Sequence, residues 1–269
     1  MSPSLRPEPI RLRSAFLSDV HLGTRECLAD RVLDFLHSVE VETLYLVGDV
    51  IDLWSLRGGL YWPQSHNNIL RTILGKAKQG TRVIYIPGNH DVLLRQFCGH
   101  TFGNIEFHRE FVHVTGRGLR MLVLHGDEFD GAVKCSRWTS TLGTHMYDFT
   151  LRIGHRLNTV RRWLGYRHWS LATWLKSRVG LAERYVRGFE RAAVHEVRRR
   201  ELDGVICGHI HRPELETMDG VLYCNDGDWV EHCTVLVEDR GGELELWDWS
   251  ETARAALEVS APLPLRAAA

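Results

Sequence analysis

Five short polar motifs carry the residue types that hold divalent cations: Ser18-Asp19-Val20-His21, Gly48-Asp49-Val50-Ile51-Asp52, Gly88-Asn89-His90-Asp91, His125-Gly126-Asp127 and Gly208-His209-Ile210-His211. Carboxylate, amide and imidazole together suit a cation of intermediate hardness, and the glycines let backbone come close to whatever the side chains hold. Any one of these motifs is weak evidence, because an isolated Asp or His at a strand end is ordinarily a satisfied turn or capping residue. Asp52 taken alone reads as a helix N-cap. Five of them in one chain, each directly after a strand-like apolar run, point instead to one shared centre.

The elements that must position these residues are legible in the hydrophobic periodicity. Strand-like AFLS, LYLV and RVIYI alternate with two helical runs, Leu28, Val32, Phe35, Leu36 and Val39, then Ile69, Leu70, Ile73, Leu74 and Ala77. That rhythm predicts βαβ units and a largely parallel sheet. Ligands of such sheets bind at the carboxyl ends of the strands, where the motifs lie. Apolar runs at 111–114, 119–124, 204–207, 221–224 and 233–237, with an alternating stretch at 243–247, predict further strands, some antiparallel. A two-sheet sandwich flanked by helices accommodates them. Residues 131–200 read as helical, with Trp138, Trp163, Trp169 and Trp174, and hold fifteen Lys and Arg against four Asp and Glu. Residues 250–269 read as a loose, Ala-rich tail.

In type and order, the motifs resemble the DxH, GDxxD, GNH(D/E), H and GHxH signatures of the calcineurin-like metallophosphoesterases, over roughly residues 14–212. The resemblance implies an α/β fold, a four-layer α/β/β/α sandwich in a single domain over 1–269, with residues 131–200 as a helical lid insertion. It implies one metal held by Asp19, His21, Asp49 and His211, and a second held by Asp49, Asn89, His125 and His209. Two dications about 3.5–4 Å apart repel and need a shared anionic ligand, a part that falls to Asp49. His90 would then face the phosphate, stabilising transition-state charge or protonating the leaving oxygen, with Asp52 orienting its ring. Asp91 and Asp127 are further candidates for outer support. Two divalent ions per chain are expected, Mn²⁺ first, with Fe²⁺, Co²⁺ and Zn²⁺ also compatible with these donors.

Within that superfamily, the opening SDVHLGTREC, the helical insertion, and GHIHRPE followed by YCNDGDWVE resemble the UDP-2,3-diacylglucosamine diphosphatase family of lipid A assembly. The implied substrate is a phosphate-containing small molecule or lipid-linked nucleotide, cut at a phosphodiester or pyrophosphate. Lid arginines, Arg161 and Arg162 among them, would meet its phosphates, and the basic charge would draw the protein to an anionic membrane surface. One position departs: that family reads GNRD, whereas this chain has His90 there, as general phosphodiesterases do. A generic phosphodiesterase therefore stands as the alternative. A nuclease is another, since a basic stretch with Trp and His suits a nucleic-acid single strand. A non-catalytic scaffold on the same fold would have lost metal ligands, and none is lost here.

Composition narrows the class further. At 44% apolar and 25% charged residues the chain is that of an ordinary globular protein, which excludes disordered and collagen-like classes. No run of about 18 apolar residues could span a bilayer, and the first residues lack the apolar core of a secretory signal, so a cytoplasmic location is expected. The six cysteines form no CxxC pair and read as reduced thiols. His37, His66, His100, His108, His113 and His232 lie outside any motif and are expected on the surface or in the core.

Overall fold

The computed structural model describes residues 8–131 and 180–250. Strands β1 (Ile10–Leu17), β2 (Val39–Val47) and β3 (Arg82–Ile86) pair in parallel. Their carboxyl-terminal ends, Ala15 to Leu17, Leu44 to Val47 and Val83 to Ile86, are apolar at successive positions and buried, as parallel strands covered on both faces must be. Helices α1 (Ala29–Ser38) and α3 (Gln64–Lys78) make the crossovers and cover one face through Val32, Phe35, Leu36, Ile69, Ile73 and Ala77. Val39, which continues the helical periodicity in sequence, instead opens β2 with an extended backbone, a conformation that suits its β-branched side chain. The short α2 (Leu53–Gly58), between β2 and α3, buries none of its residues and so leaves no apolar period to read.

Strands β4 (Thr101–Phe102), β5 (Ile105–Phe107), β11 (Thr234–Glu238) and β12 (Leu244–Asp248) complete this first sheet in the order β12-β11-β1-β2-β3-β5-β4. The second sheet contains β6 (Phe111–Val114), β7 (Arg120–Val123), β8 (Gly204–Cys207), β9 (Glu214–Met218) and β10 (Val221–Asn225), in the order β6-β7-β8-β10-β9. Strands β7, β8 and β10 are parallel, while β6 and β9 close the edges antiparallel.

Three apolar clusters define the layers. Phe16, Tyr45, Ile84 and Ile86 of the first sheet meet Met121, Val123, Ile206 and Cys224 of the second. Strand alternation sends Leu122, Val205 and Tyr223 to the opposite side, where they pack against Phe189, Ala193 and Val197 of α4 (Gly180–Arg199). With α1 and α3 on the far side of the first sheet, the result is a four-layer α/β/β/α sandwich. Helix α4 is thus a core element of the second sheet, although its sequence falls within the basic 131–200 stretch. Arg161, Arg162 and the four tryptophans of that stretch lie outside the described residues, as does the tail after Ser250. No helix among the described residues is long and apolar enough to cross a membrane, and the five described cysteines are free thiols.

A polar clamp joins the sheets. Glu238 on β11 is fully buried and accepts hydrogen bonds from Ser14 Oγ (2.9 Å) and Gly116 N (2.7 Å). It also meets His113 Nε2 at 3.0 Å, and His113 Nδ1 contacts the Tyr45 hydroxyl at 3.0 Å. Burial alone would raise the Glu238 pKa, but the His113, Gly116 and Ser14 bonds more than offset it and hold the carboxyl at about 2. A group lowered in the folded state stabilises the fold above its unfolded value of about 4.3, and that contribution is lost as pH falls towards 2. Glu238→Gln should therefore cost about 1–3 kcal/mol at neutral pH, since the new amide N–H groups face donors in place of the charged acceptor. Urea unfolding of both proteins at several pH values checks this: the gap between them should narrow as pH falls below 5.

Candidate metal centre

Each motif follows the carboxyl end of a strand: Asp19 and His21 follow β1, Asp49 and Asp52 follow β2, and Asn89 and His90 follow β3. In the second sheet, His125 follows β7, and His209 and His211 follow β8. The loops are stitched to one another through backbone. Asp19 N donates to Gly48 O (3.1 Å), His21 N to Asp49 O (2.9 Å) and Gly208 N to His125 O (3.1 Å). Close approach needs glycine here. A Cβ on Gly88 would lie 2.4 Å from Asp49 Oδ1, and one on Gly208 would lie 2.4 Å from Asp19 Oδ2.

Asp19, His21, Asp49, His209 and His211 all adopt a left-handed backbone, with φ between 51° and 68°. A non-glycine residue in that region costs roughly 1–3 kcal/mol, and persists only where surrounding structure over-determines it. Side-chain anchors supply part of that constraint. Asp19 Oδ2 accepts from His209 N (2.9 Å), and Asp49 Oδ1 accepts from His90 N (2.7 Å).

Three groups of ligand-type side chains converge: Asp19 with His21 and His211; His21 with Asp52 and His90; and Asp49 with His125 and His209. Asp19 Oδ1 lies 3.0 Å from His211 Nε2, and Asp49 Oδ2 lies 3.3 Å from His125 Nε2. His125 Nδ1 donates to Val47 O (2.9 Å), which aims Nε2 at Asp49 and at Asn89 Oδ1 (3.3 Å). The charges oppose burial throughout. Burial would raise the carboxyls, yet Asp19, facing His211 and His21, is held well below the ordinary range, and Asp49, facing His125, is lowered too. Burial would lower the imidazoles, yet Asp19 and Asp52 raise His21, and Asp49 raises His125. Asp19 Oδ1 and His21 Nε2 are buried; they face each other at 3.8 Å, and although His211 Nε2 also approaches Asp19 Oδ1, neither atom forms a well-directed hydrogen bond. Unsatisfied donor atoms on a carboxylate and an imidazole that share a site are what a divalent cation would satisfy, so these residues fit one.

Asp52 makes two kinds of contact at once. Its Oδ1 caps α2 by accepting from Ser55 N (2.7 Å), while Oδ2 meets His21 Nδ1 (3.1 Å) and His90 Nδ1 (2.9 Å). Its carboxyl is lowered by those two histidines against burial. Trp54, 47% exposed, lies over the His90 ring with centroids 4.5 Å apart. Asp91 braces the loops by accepting from Gly88 N, Val50 N and the Tyr85 hydroxyl. Asp127 instead pairs with Arg95, whose guanidinium also donates to Pro87 O. Of the histidines outside the motifs, His66 is buried and accepts from Gly23 N (3.1 Å).

Sequence reasoning missed Asp130, Arg95 and Trp54, none of which belongs to a motif. The only available signal was proximity: Trp54, Arg95 and Asp130 lie two to four residues after the motif positions Asp52, Asp91 and Asp127.

Two packed sheets with Asp, Asn and His donors gathered at the strand ends define a class of phosphate-ester hydrolases. The chain belongs to the calcineurin-like phosphoesterase family, whose pattern it matches over residues 12–213. It is 23% identical to the UDP-2,3-diacylglucosamine hydrolase of Porphyromonas gingivalis, over 86% of this chain and 95% of that protein. It is 30% identical to that of Blochmanniella pennsylvanica, over 42% of this chain and 45% of that protein. Among solved structures it is similar to Yfce, a phosphoesterase from E. coli, at 14% identity and a TM-score of 0.45, covering 88% of this chain and 93% of that one.

Proposed function

We propose that the chain hydrolyses a phosphodiester or pyrophosphate at a binuclear centre. Asp19, His21, Asp49 and His211 would hold one divalent cation, and Asp49, Asn89, His125 and His209 the other, with Asp49 shared. The observation that carries this reading is the pair of buried, unsatisfied donors, Asp19 Oδ1 and His21 Nε2, within converging groups of carboxylates and imidazoles. Two bound cations, Mn²⁺ in this proposal, would neutralise phosphate charge and activate a water for attack.

The remaining chemistry belongs to His90 and Asp52. Asp52 Oδ2 engages His90 Nδ1, so Nε2 is the nitrogen left to give a proton to the leaving oxygen or to face charge developing on the phosphate. Because Asp52 is itself fixed by Ser55 N, the ring is held at little further cost in side-chain freedom. Trp54 covers one face of that ring and limits its access to water.

The relatives named UDP-2,3-diacylglucosamine hydrolase support a lipid-linked nucleotide diphosphate as substrate. His90, at a position where that family reads Arg, favours instead a simpler phosphodiester. A cytoplasmic location, with contact to an anionic membrane through the basic 131–200 stretch, belongs to the first reading. A product-resolved assay of Mn²⁺-loaded protein decides between them, using UDP-2,3-diacylglucosamine, an aryl phosphodiester and single-stranded DNA. Release of a nucleoside monophosphate and a lipid sugar phosphate supports the first reading. Turnover of the aryl diester alone supports the second, preferential cutting of DNA would point to a nuclease, and no turnover of any substrate defeats both readings.

We also assign the part of the basic stretch that precedes α4 a role as a lid over bulky substrates. Arg161→Ala with Arg162→Ala is expected to lower kcat/KM on a large anionic substrate by about tenfold or more, the effect of losing a charge-assisted hydrogen bond. A small aryl diester draws no remote binding energy from the lid and should be nearly unaffected. Comparing kcat/KM for both substrates checks this: equal losses on the two would mark a folding defect.

A further inference from the structure

His209 is held from outside the motifs. Its Nε2 donates to Asp130 Oδ1 at 3.0 Å, and the same oxygen accepts from the Tyr185 hydroxyl. Asp130 lies in the short 3-10 turn Asp127–Gly131 after His125, and Tyr185 lies in the second turn of α4. Tyr185 and Phe189 are four residues apart and so share one face of α4. Phe189 lies beside the His209 ring with centroids 6.0 Å apart, and packs on Phe129 next to Asp130. One helix face and one turn therefore enclose an imidazole whose backbone is strained, at φ 68°.

We propose that Asp130 is a positioning residue for the metal centre, fixing His209 as the tautomer protonated on Nε2 so that Nδ1 is its ligating nitrogen, with Tyr185 fastening Asp130 to α4. A neutral imidazole has one donor and one acceptor nitrogen, and a carboxylate can only accept. The contact with Asp130 therefore commits Nε2 as the donor and leaves the lone pair on Nδ1. Carboxylate partners of this kind set the tautomer and ring orientation of ligating histidines and raise their basicity. The consequence is architectural. Asp130 and Tyr185 flank residues 131–184, so the turn before that segment and the helix after it are both tied to one candidate ligand. The inference rests on the reading of His209 as a ligand.

The test has two readouts on the full chain. In ¹⁵N-labelled, chelator-treated protein at mildly alkaline pH, long-range ¹H–¹⁵N correlation spectra should show His209 protonated on Nε2, with His209→Gln identifying its signals. Asp130→Ala should mix the tautomers, and Asp130→Asn, which keeps an acceptor oxygen, should restore the Nε2-protonated form. In a Mn²⁺ titration followed by calorimetry, Asp130→Ala should weaken one of the two binding steps by about 10–100-fold. Tyr185→Phe should weaken the same step by less. Wild-type tautomer in Asp130→Ala, or a changed tautomer with both Mn²⁺ steps intact, overturns the proposal. The underlying ligand reading fails by a different result, a His209→Ala variant that titrates with Mn²⁺ like the wild type.

Discussion

Asp49→Ala is expected to leave the chain without tightly bound metal and without phosphoesterase activity. Asp49 stands where both proposed cations meet, with Oδ2 3.3 Å from His125 Nε2 and Oδ1 accepting from His90 N. Removing the carboxylate takes away the shared anion and leaves two dications facing each other, so neither site should hold. It also frees the His90 loop, whose backbone N–H loses its acceptor. Loss of a mere outer-sphere partner already costs about 10–100-fold in metal affinity or activity, and a shared ligand should cost more. Elemental analysis of the purified variant, with turnover of an aryl phosphodiester, measures both effects. Two tightly bound metals per chain in Asp49→Ala would rule out the shared role. The fold should survive, because the core clusters contain no part of Asp49.

His90→Ala should separate binding from chemistry. What ties His90 to Asp49 at hydrogen-bonding distance is its backbone N–H, which alanine retains, so both cations should remain bound. The imidazole itself touches Asp52, Trp54 and His21, and none of these contacts supplies a ligand atom from His90 in the proposed assignment. Hydrolysis of a substrate with a poor leaving group is expected to fall by roughly 10²–10⁴-fold, the usual contribution of general acid catalysis. A substrate releasing nitrophenolate needs no proton on its leaving oxygen, so most of that loss should vanish if His90 is the acid. If His90 instead stabilises charge on the phosphate, both substrates should suffer alike. Full activity on every substrate would remove His90 from the mechanism.

Asp52→Asn offers a milder comparison, because an amide can still cap α2 through its oxygen while weakening the hold on two histidines. Since His21 and His90 share the single Oδ2 of Asp52, that variant should perturb metal binding and turnover together, whereas His90→Ala perturbs turnover alone.

Much of this protein was legible in the chain itself. Donor types are fixed by residue identity, and Asp19, His21, Asp49, Asn89, His125, His209 and His211 each sit within a few residues of an apolar run whose period marks a strand. Those signals are local, so a short window contains them. The sandwich followed as well, because strands buried on both faces and amphipathic helices leave few ways to cover every apolar surface. What only the tertiary structure decided depends on contacts between residues far apart in sequence. Helix α4 is a case in point: its arginines suggested a solvated lid, but Phe189, Ala193 and Val197 share a face that only the second sheet could bury. The division of labour within Asp52 depends on two imidazoles arriving 31 positions earlier and 38 positions later. Asp130 lies three residues past a motif, but its partner could not be read because His209 is 79 residues away. The left-handed backbone at five candidate ligands was hidden for the same reason, since the modest local preference of Asp and His for that region does not by itself overcome its steric cost. Loops bonded to one another across two sheets hold those residues there.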